Sequence, residues 1–105
     1  MPWYHNIAYF FGGVFLANCL PHFLAGVSGK PFPTPFASPP FKGLSSSAVN
    51  VAWGLLNMAI AYLLLVQVGE FDIKSYRNVG ISFAGLALMA FQLARSLGRI
   101  HSAPP

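Results

Sequence analysis

The sequence predicts an all-α integral membrane protein: three transmembrane helices, with a Pro/Phe-rich loop between the first and the second. Its composition points there first. Charged residues make up 8% of the 105-residue chain and apolar ones 55%, where a soluble domain carries about 25% charged. The placement of the charges points the same way, leaving long uncharged runs before Lys30, between Lys42 and Glu70, and between Arg77 and Arg95. A soluble bundle of this size needs polar outer faces, and these runs have almost none. Residues 1–105 read as a single membrane domain.

Each element follows from length and local chemistry. Crossing the hydrocarbon core takes roughly 20 residues at about 1.5 Å each. Ile7–Val27 and Ala48–Val68 are each 21 residues long and reach across. The third run, Asn78–Ala94, holds 17 residues. It spans, as a helix over about 76–97, if the Arg77 and Arg95 guanidinium groups snorkel to the two interfaces. The first segment is expected to be retained rather than cleaved: nothing before it is basic, and Trp3 and Tyr4 suit a membrane interface.

Between spans one and two, segment 28–47 carries prolines at 31, 33, 35, 39 and 40, which deny it a helix and favour an extended path. Phe32, Phe36 and Phe41 are out of place in a disordered linker. Two readings stand: a connector lying flat on the membrane, or an ordered lid that offers these rings to a partner. Ser46 or Ser47 can cap the second helix, and Ser75 or Asp72 the third. The connection 69–75 is short, so spans two and three are expected to be antiparallel neighbours.

Helices in lipid associate through close contact between small residues. Span one offers Gly13, Ala17, Pro21 and Ala25 at steps of four, and span two offers Gly54. In span three, Gly80, Ala84, Ala87, Phe91, Ala94 and Gly98 alternate steps of four and three, a left-handed supercoil seam. Packing within the three-helix unit is the first expectation for these stripes, and an oligomer face the second.

Polar residues within the spans are unevenly spread. Counting from the mid-points at about 1.5 Å per residue, Asn18, His22, Asn50, Asn57 and Gln92 all fall from mid-depth toward the loop 28–47 side. Asn18 and His22 share a helix face, as do Asn50 and Asn57 with Trp53 between them. Pro21 strips a backbone donor beside His22. These side chains need each other, water or a ligand. Interhelical hydrogen bonding is the plain expectation. A small polar cavity under the loop, built by Asn18, His22, Asn50, Trp53, Asn57 and Gln92, is the sharper one. His22 as axial ligand to a haem or pigment is a third; a bis-His site within one chain is not expected, since His5 and His101 sit at opposite ends.

Several function classes are excluded. No Asp or Glu lies in a span, so the usual carboxylate of ion-coupled transport is missing. No nucleophile triad, HExxH, Walker loop or cysteine pair occurs, and Cys19 is alone. No catalytic residue, metal site or cofactor is therefore expected. The basic residues are few and scattered, unlike a nucleic-acid footprint.

The expected function is that of a non-enzymatic accessory or scaffolding subunit, with the bilayer and other membrane subunits or further copies as partners. The alternative is a homo-oligomeric small-solute transporter or channel. Lys30, Lys42, Arg95 and Arg99 fall on one side, against Lys74 and Arg77 beside Glu70 and Asp72 on the other. This predicts loop 28–47 and the C-terminus on the cytoplasmic side of a bacterial inner membrane, with the N-terminus outside.

Overall fold

The structure, a computed structural model, describes residues 2–100, and of Ile100 the backbone alone; His101 lies outside the described residues. The chain forms α1 (Trp3–Val27), α2 (Ser47–Tyr62) and α3 (Tyr76–Ile100). α2 runs on without a break into a π-helical segment, Leu63–Val68. All three helices are long and apolar enough to cross a membrane. The first begins at Trp3 rather than Ile7.

Local chemistry sets the ends. Ser46 is the N-cap of α2, its side chain accepting from the Val49 N–H at 3.2 Å. Ser75 takes that role at α3, accepting from the Asn78 N–H at 3.2 Å, while Asp72 accepts from the Lys74 N–H in the preceding turn. α1 ends where Gly29 adopts a φ of +72° and Lys30 N–H donates back to the Ala25 carbonyl. Glycine reaches that left-handed conformation without a Cβ clash.

The helix order in space departs from the sequence expectation. No Cα atom of α2 comes within 8 Å of one in α3; α1 packs closely on both. The short connection makes them antiparallel but does not make them neighbours. Segment 69–75 instead passes the start of α1, where the buried Tyr9 hydroxyl donates to the Gly69 carbonyl and the Tyr9 ring meets Phe71 edge-on.

Glycines explain why α1 is central. Along the antiparallel α1/α2 contact, Gly26 faces Val51 and the Ser47 carbonyl, Gly54 faces the Phe23 backbone, and Gly12 faces Leu65. On the other side, α1 and α3 run parallel. Gly13 lies against the Ser82 carbonyl, and Gly85 against that of Phe10. At Gly13 and Gly85 backbone meets backbone, and no side chain fits between.

The small-residue seam of α3 is corrected by the same contacts. Gly80 has nothing within 4 Å of where a Cβ would stand. Ala84, Phe91 and Ala94 are exposed, and Ala87 and Gly98 half-buried. The seam therefore does not join α3 to the rest of the chain; Ser82, Gly85 and Leu86, on another face, do. In α1, Gly13 and Ala17 are buried, Pro21 and Ala25 half-buried. Only 6% of the most apolar stretch of α3 is buried, against 33% in α1.

At the Trp3 end, Tyr9 has no exposed surface, and its bond to Gly69 ties the π-helical end of α2 to α1. Tyr9→Phe is expected to lower stability in mild detergent by about 1 kcal/mol, the ordinary worth of such a bond. Chemical unfolding followed by tryptophan fluorescence checks it.

Candidate functional site: a cavity beneath the loop

Loop 28–46 is folded onto the helices rather than laid out flat. Phe32 and Ser45 exchange backbone hydrogen bonds of 3.1 and 2.9 Å, closing the loop at its base. Thr34, fully buried, pairs its hydroxyl with that of Ser45 at 2.5 Å. Its carbonyl accepts from the N–H groups of Ala37 and Phe41. The prolines remove donors that this crowded turn could not satisfy.

Asn50 fastens the loop to α2. It has no exposed surface. Its side-chain amide donates to the carbonyls of Phe32, Ser45 and Ser46 at 3.0–3.2 Å. Those contacts fix which end of the carboxamide is nitrogen, so the oxygen faces His22 Nδ1 at 2.9 Å. An amide oxygen only accepts, so Nδ1 carries the hydrogen, and in the neutral ring Nε2 is left with a lone pair.

An amide–amide pair lies deeper, one turn from His22 along α1 and two turns from Asn50 along α2. Asn57, also fully buried, donates to the Trp53 carbonyl at 2.7 Å. Its oxygen accepts from Asn18 Nδ2 at 2.9 Å, so the Asn18 oxygen is the free end of that chain. Both networks join α1 to α2 across the Gly54–Phe23 contact, where close approach lets short side chains meet.

These residues border a partly open cavity of about 340 Å³. Its polar wall holds Asn18, His22, Trp53, Gln92 and Ser96. Pro33, Pro35 and Phe41 come from the loop, and Met89, Leu93 and Leu97 from α3. The volume sits at the lower end of the range for small-molecule pockets, about 300–1,000 Å³. No lining residue carries a formal charge unless His22 is protonated.

The six residues singled out from the sequence thus divide by role. Asn18, His22, Trp53 and Gln92 line the cavity. Asn50 and Asn57 stand behind, aiming His22 and Asn18. Of the loop phenylalanines, Phe32 is half-buried, edge-on to His22 at 5.5 Å, and so is not open for docking. Phe36 is exposed and packs edge-on against Trp53 at 5.1 Å. Phe41 is exposed, lines the cavity, and holds a φ of +64°, an uncommon conformation for a bulky residue.

Some participants went unread in the sequence. Thr34 and Ser45 become a buried hydroxyl pair through an 11-residue separation that no local pattern announces. Ser96 enters the wall one turn beyond Gln92, to which it is hydrogen-bonded at 3.4 Å. At the opposite end, His5, Tyr9 and Asn78 are buried. Asn78 accepts from the Asp72 N–H at 2.8 Å, and His5 lies 3.7 Å from Glu70.

Among the described residues, no group of three or more His, Cys, Asp or Glu is placed to hold a metal ion. Compared with protein-family models, curated proteins and solved structures, the chain shows no significant match to any of them.

Proposed function

We propose that this chain is a non-enzymatic, membrane-embedded accessory subunit that works by helix–helix association, with α3 as its docking helix. The observation that supports this is the outward seam of Gly80, Ala84 and Ala94: nothing lies within 4 Å of where a Gly80 Cβ would stand, and both alanines are exposed. Facing lipid, a glycine in a helix loses backbone entropy and gains no packing. Facing another helix, it permits close backbone approach. Phe83 and Phe91, both exposed, supply apolar area on the same helix. In the proposed orientation the loop and the C-terminal end of α3 face the cytoplasm, because Lys30, Lys42, Arg95 and Arg99 gather there.

The test is the native mass in mild detergent, with any co-purifying subunit identified. A complex larger than one chain is expected, reduced to the monomer by Gly80→Leu combined with Ala84→Leu. A monodisperse monomer of the unaltered chain overturns the proposal.

The uncharged cavity favours a second reading, a homo-oligomeric small-solute carrier or channel. Flux in vesicles that is lost in His22→Leu while assembly persists would favour it over the first.

A further inference from the structure

We propose that the cavity beneath the loop binds an uncharged, membrane-soluble molecule bearing a hydroxyl on a ring, of the phenol or quinol class, whose hydroxyl donates to His22 Nε2.

The wall selects against charge first. Its polar groups are amides, an imidazole, an indole and a hydroxyl, and none neutralises an ion brought out of water. It then selects for a donor. His22 spends its Nδ1 hydrogen on the Asn50 oxygen, and Asn18 spends an amide hydrogen on Asn57. His22 is left with an acceptor, the Nε2 lone pair; Asn18, four residues away on the same face of α1, keeps its oxygen and its second amide hydrogen. His22 is only 6% exposed. Yet Nε2 is not among the sealed, partnerless atoms, which are Asn6 Oδ1, Trp53 Nε1 and Ser82 Oγ. His22 itself lines the cavity.

Trp53 supplies the complement. Its indole N–H sits in a residue of the same wall, sealed and without an acceptor. A buried donor left unpaired is costly, and Phe36, exposed and packed edge-on against this ring, would have to shift for a ligand to reach it. A hydroxyl can do both jobs at once, donating to His22 Nε2 and accepting from Trp53. A carbonyl can only accept, and leaves the His22 lone pair unanswered.

The apolar wall selects the ring. Phe41 and Trp53 present aromatic surfaces, with Pro33 and Pro35 on the loop side and Leu93 opposite. Phe41 is held at its left-handed φ by its N–H bond to the Thr34 carbonyl. Such local strain persists where surrounding structure enforces it, often at ligand clamps. The volume of about 340 Å³ takes a substituted ring and the start of a tail, and is smaller than a tetrapyrrole needs. Because no Cα pair of α2 and α3 comes within 8 Å and the cavity is partly open, a tail can leave between them toward lipid, which suits a ligand arriving through the membrane.

The experiment titrates the full chain in lipid nanodiscs with a short-chain benzoquinol, kept reduced under anaerobic conditions, and with the matching benzoquinone. Calorimetry gives the affinities, and ¹⁵N NMR of labelled histidine reports Nε2, with His22 assigned by its loss in His22→Leu. The quinol is expected to bind at least tenfold tighter than the quinone and to shift the His22 Nε2 resonance. Ser96→Trp, at an exposed wall position, fills the cavity without touching the Asn50 network. It should abolish binding while leaving the His22–Asn50 signals in place. Equal affinity for quinol and quinone, or quinol binding unchanged in Ser96→Trp, overturns the proposal. Equally tight binding of a sterol-type or long-chain aliphatic alcohol overturns the ring assignment.

Discussion

Gly13→Leu is expected to detach α3 from α1, the largest single effect on the fold. A Cβ at Gly13 would overlap the Ser82 carbonyl and come within 2.9 Å of the Leu86 nitrogen. These are backbone atoms of a helix and cannot rotate aside. Relief requires moving the whole of α3, whose one close helix partner is α1. Overpacking a core typically costs about 1–3 kcal/mol, and backbone obstruction belongs at or above the top of that range. Gly85→Leu should behave alike, because its Cβ would overlap the Phe10 carbonyl from the other side. Gly80→Leu is the control: with nothing within 4 Å, it should leave monomer stability within about 0.5 kcal/mol. Unfolding in mild detergent separates the three variants. Equal stability of Gly13→Leu and Gly80→Leu would show that α3 does not pack on α1 through this crossing.

Asn50→Leu is expected to release the loop while the helices stay assembled. The variant removes four hydrogen bonds, three to loop-side carbonyls and one to His22. Each of the three carbonyls keeps one backbone partner, Ser45 N–H, Phe32 N–H or Asn50 N–H. The full penalty therefore falls on His22 Nδ1, and the total should be about 2–3 kcal/mol. If that weakens loop closure alone, the open population rises roughly 30-fold or more. Trypsin reads this directly, because Lys42 precedes Gly43 whereas Lys30 precedes a proline. Cleavage after Lys42 should accelerate accordingly, with cleavage after Lys74 unchanged. Asn50→Asp should fail as well, since an acidic oxygen would replace the amide that faces three carbonyls. A loop as resistant in both variants as in the unaltered chain would show that Asn50 does not hold it.

The two variants probe parts of the molecule that differ in how far they can be read ahead. Loop-end clustering of Asn18, His22, Asn50, Asn57 and Gln92 was legible because depth along a helix is a one-dimensional quantity, rise multiplied by residue count. Sharing of a face by Asn18 and His22 follows from the helical period in the same way. What depth cannot supply is the azimuth of one helix relative to the next. Gln92 and Asn57 both fall from mid-depth toward the loop, yet Gln92 borders the cavity and Asn57 braces Asn18 from behind. The loop shows the same division. Its prolines announce the absence of helix, but closure depends on Phe32 finding Ser45 and Thr34 finding the same residue's hydroxyl.

Run lengths without charge, serine caps, and the offset of polar side chains toward one end are local or additive properties, and the sequence by itself determined them. Tertiary structure alone decided that α1 is the central helix, that the α3 seam of Gly80 and Ala84 faces away from it, and that the loop is a fastened cover. The physical reason lies in the glycines. A residue without a side chain marks a place where something can come close, and carries no information about what comes. Gly13 and Gly80 read alike along the chain; only the approach of the Ser82 backbone to one, and of nothing to the other, tells them apart.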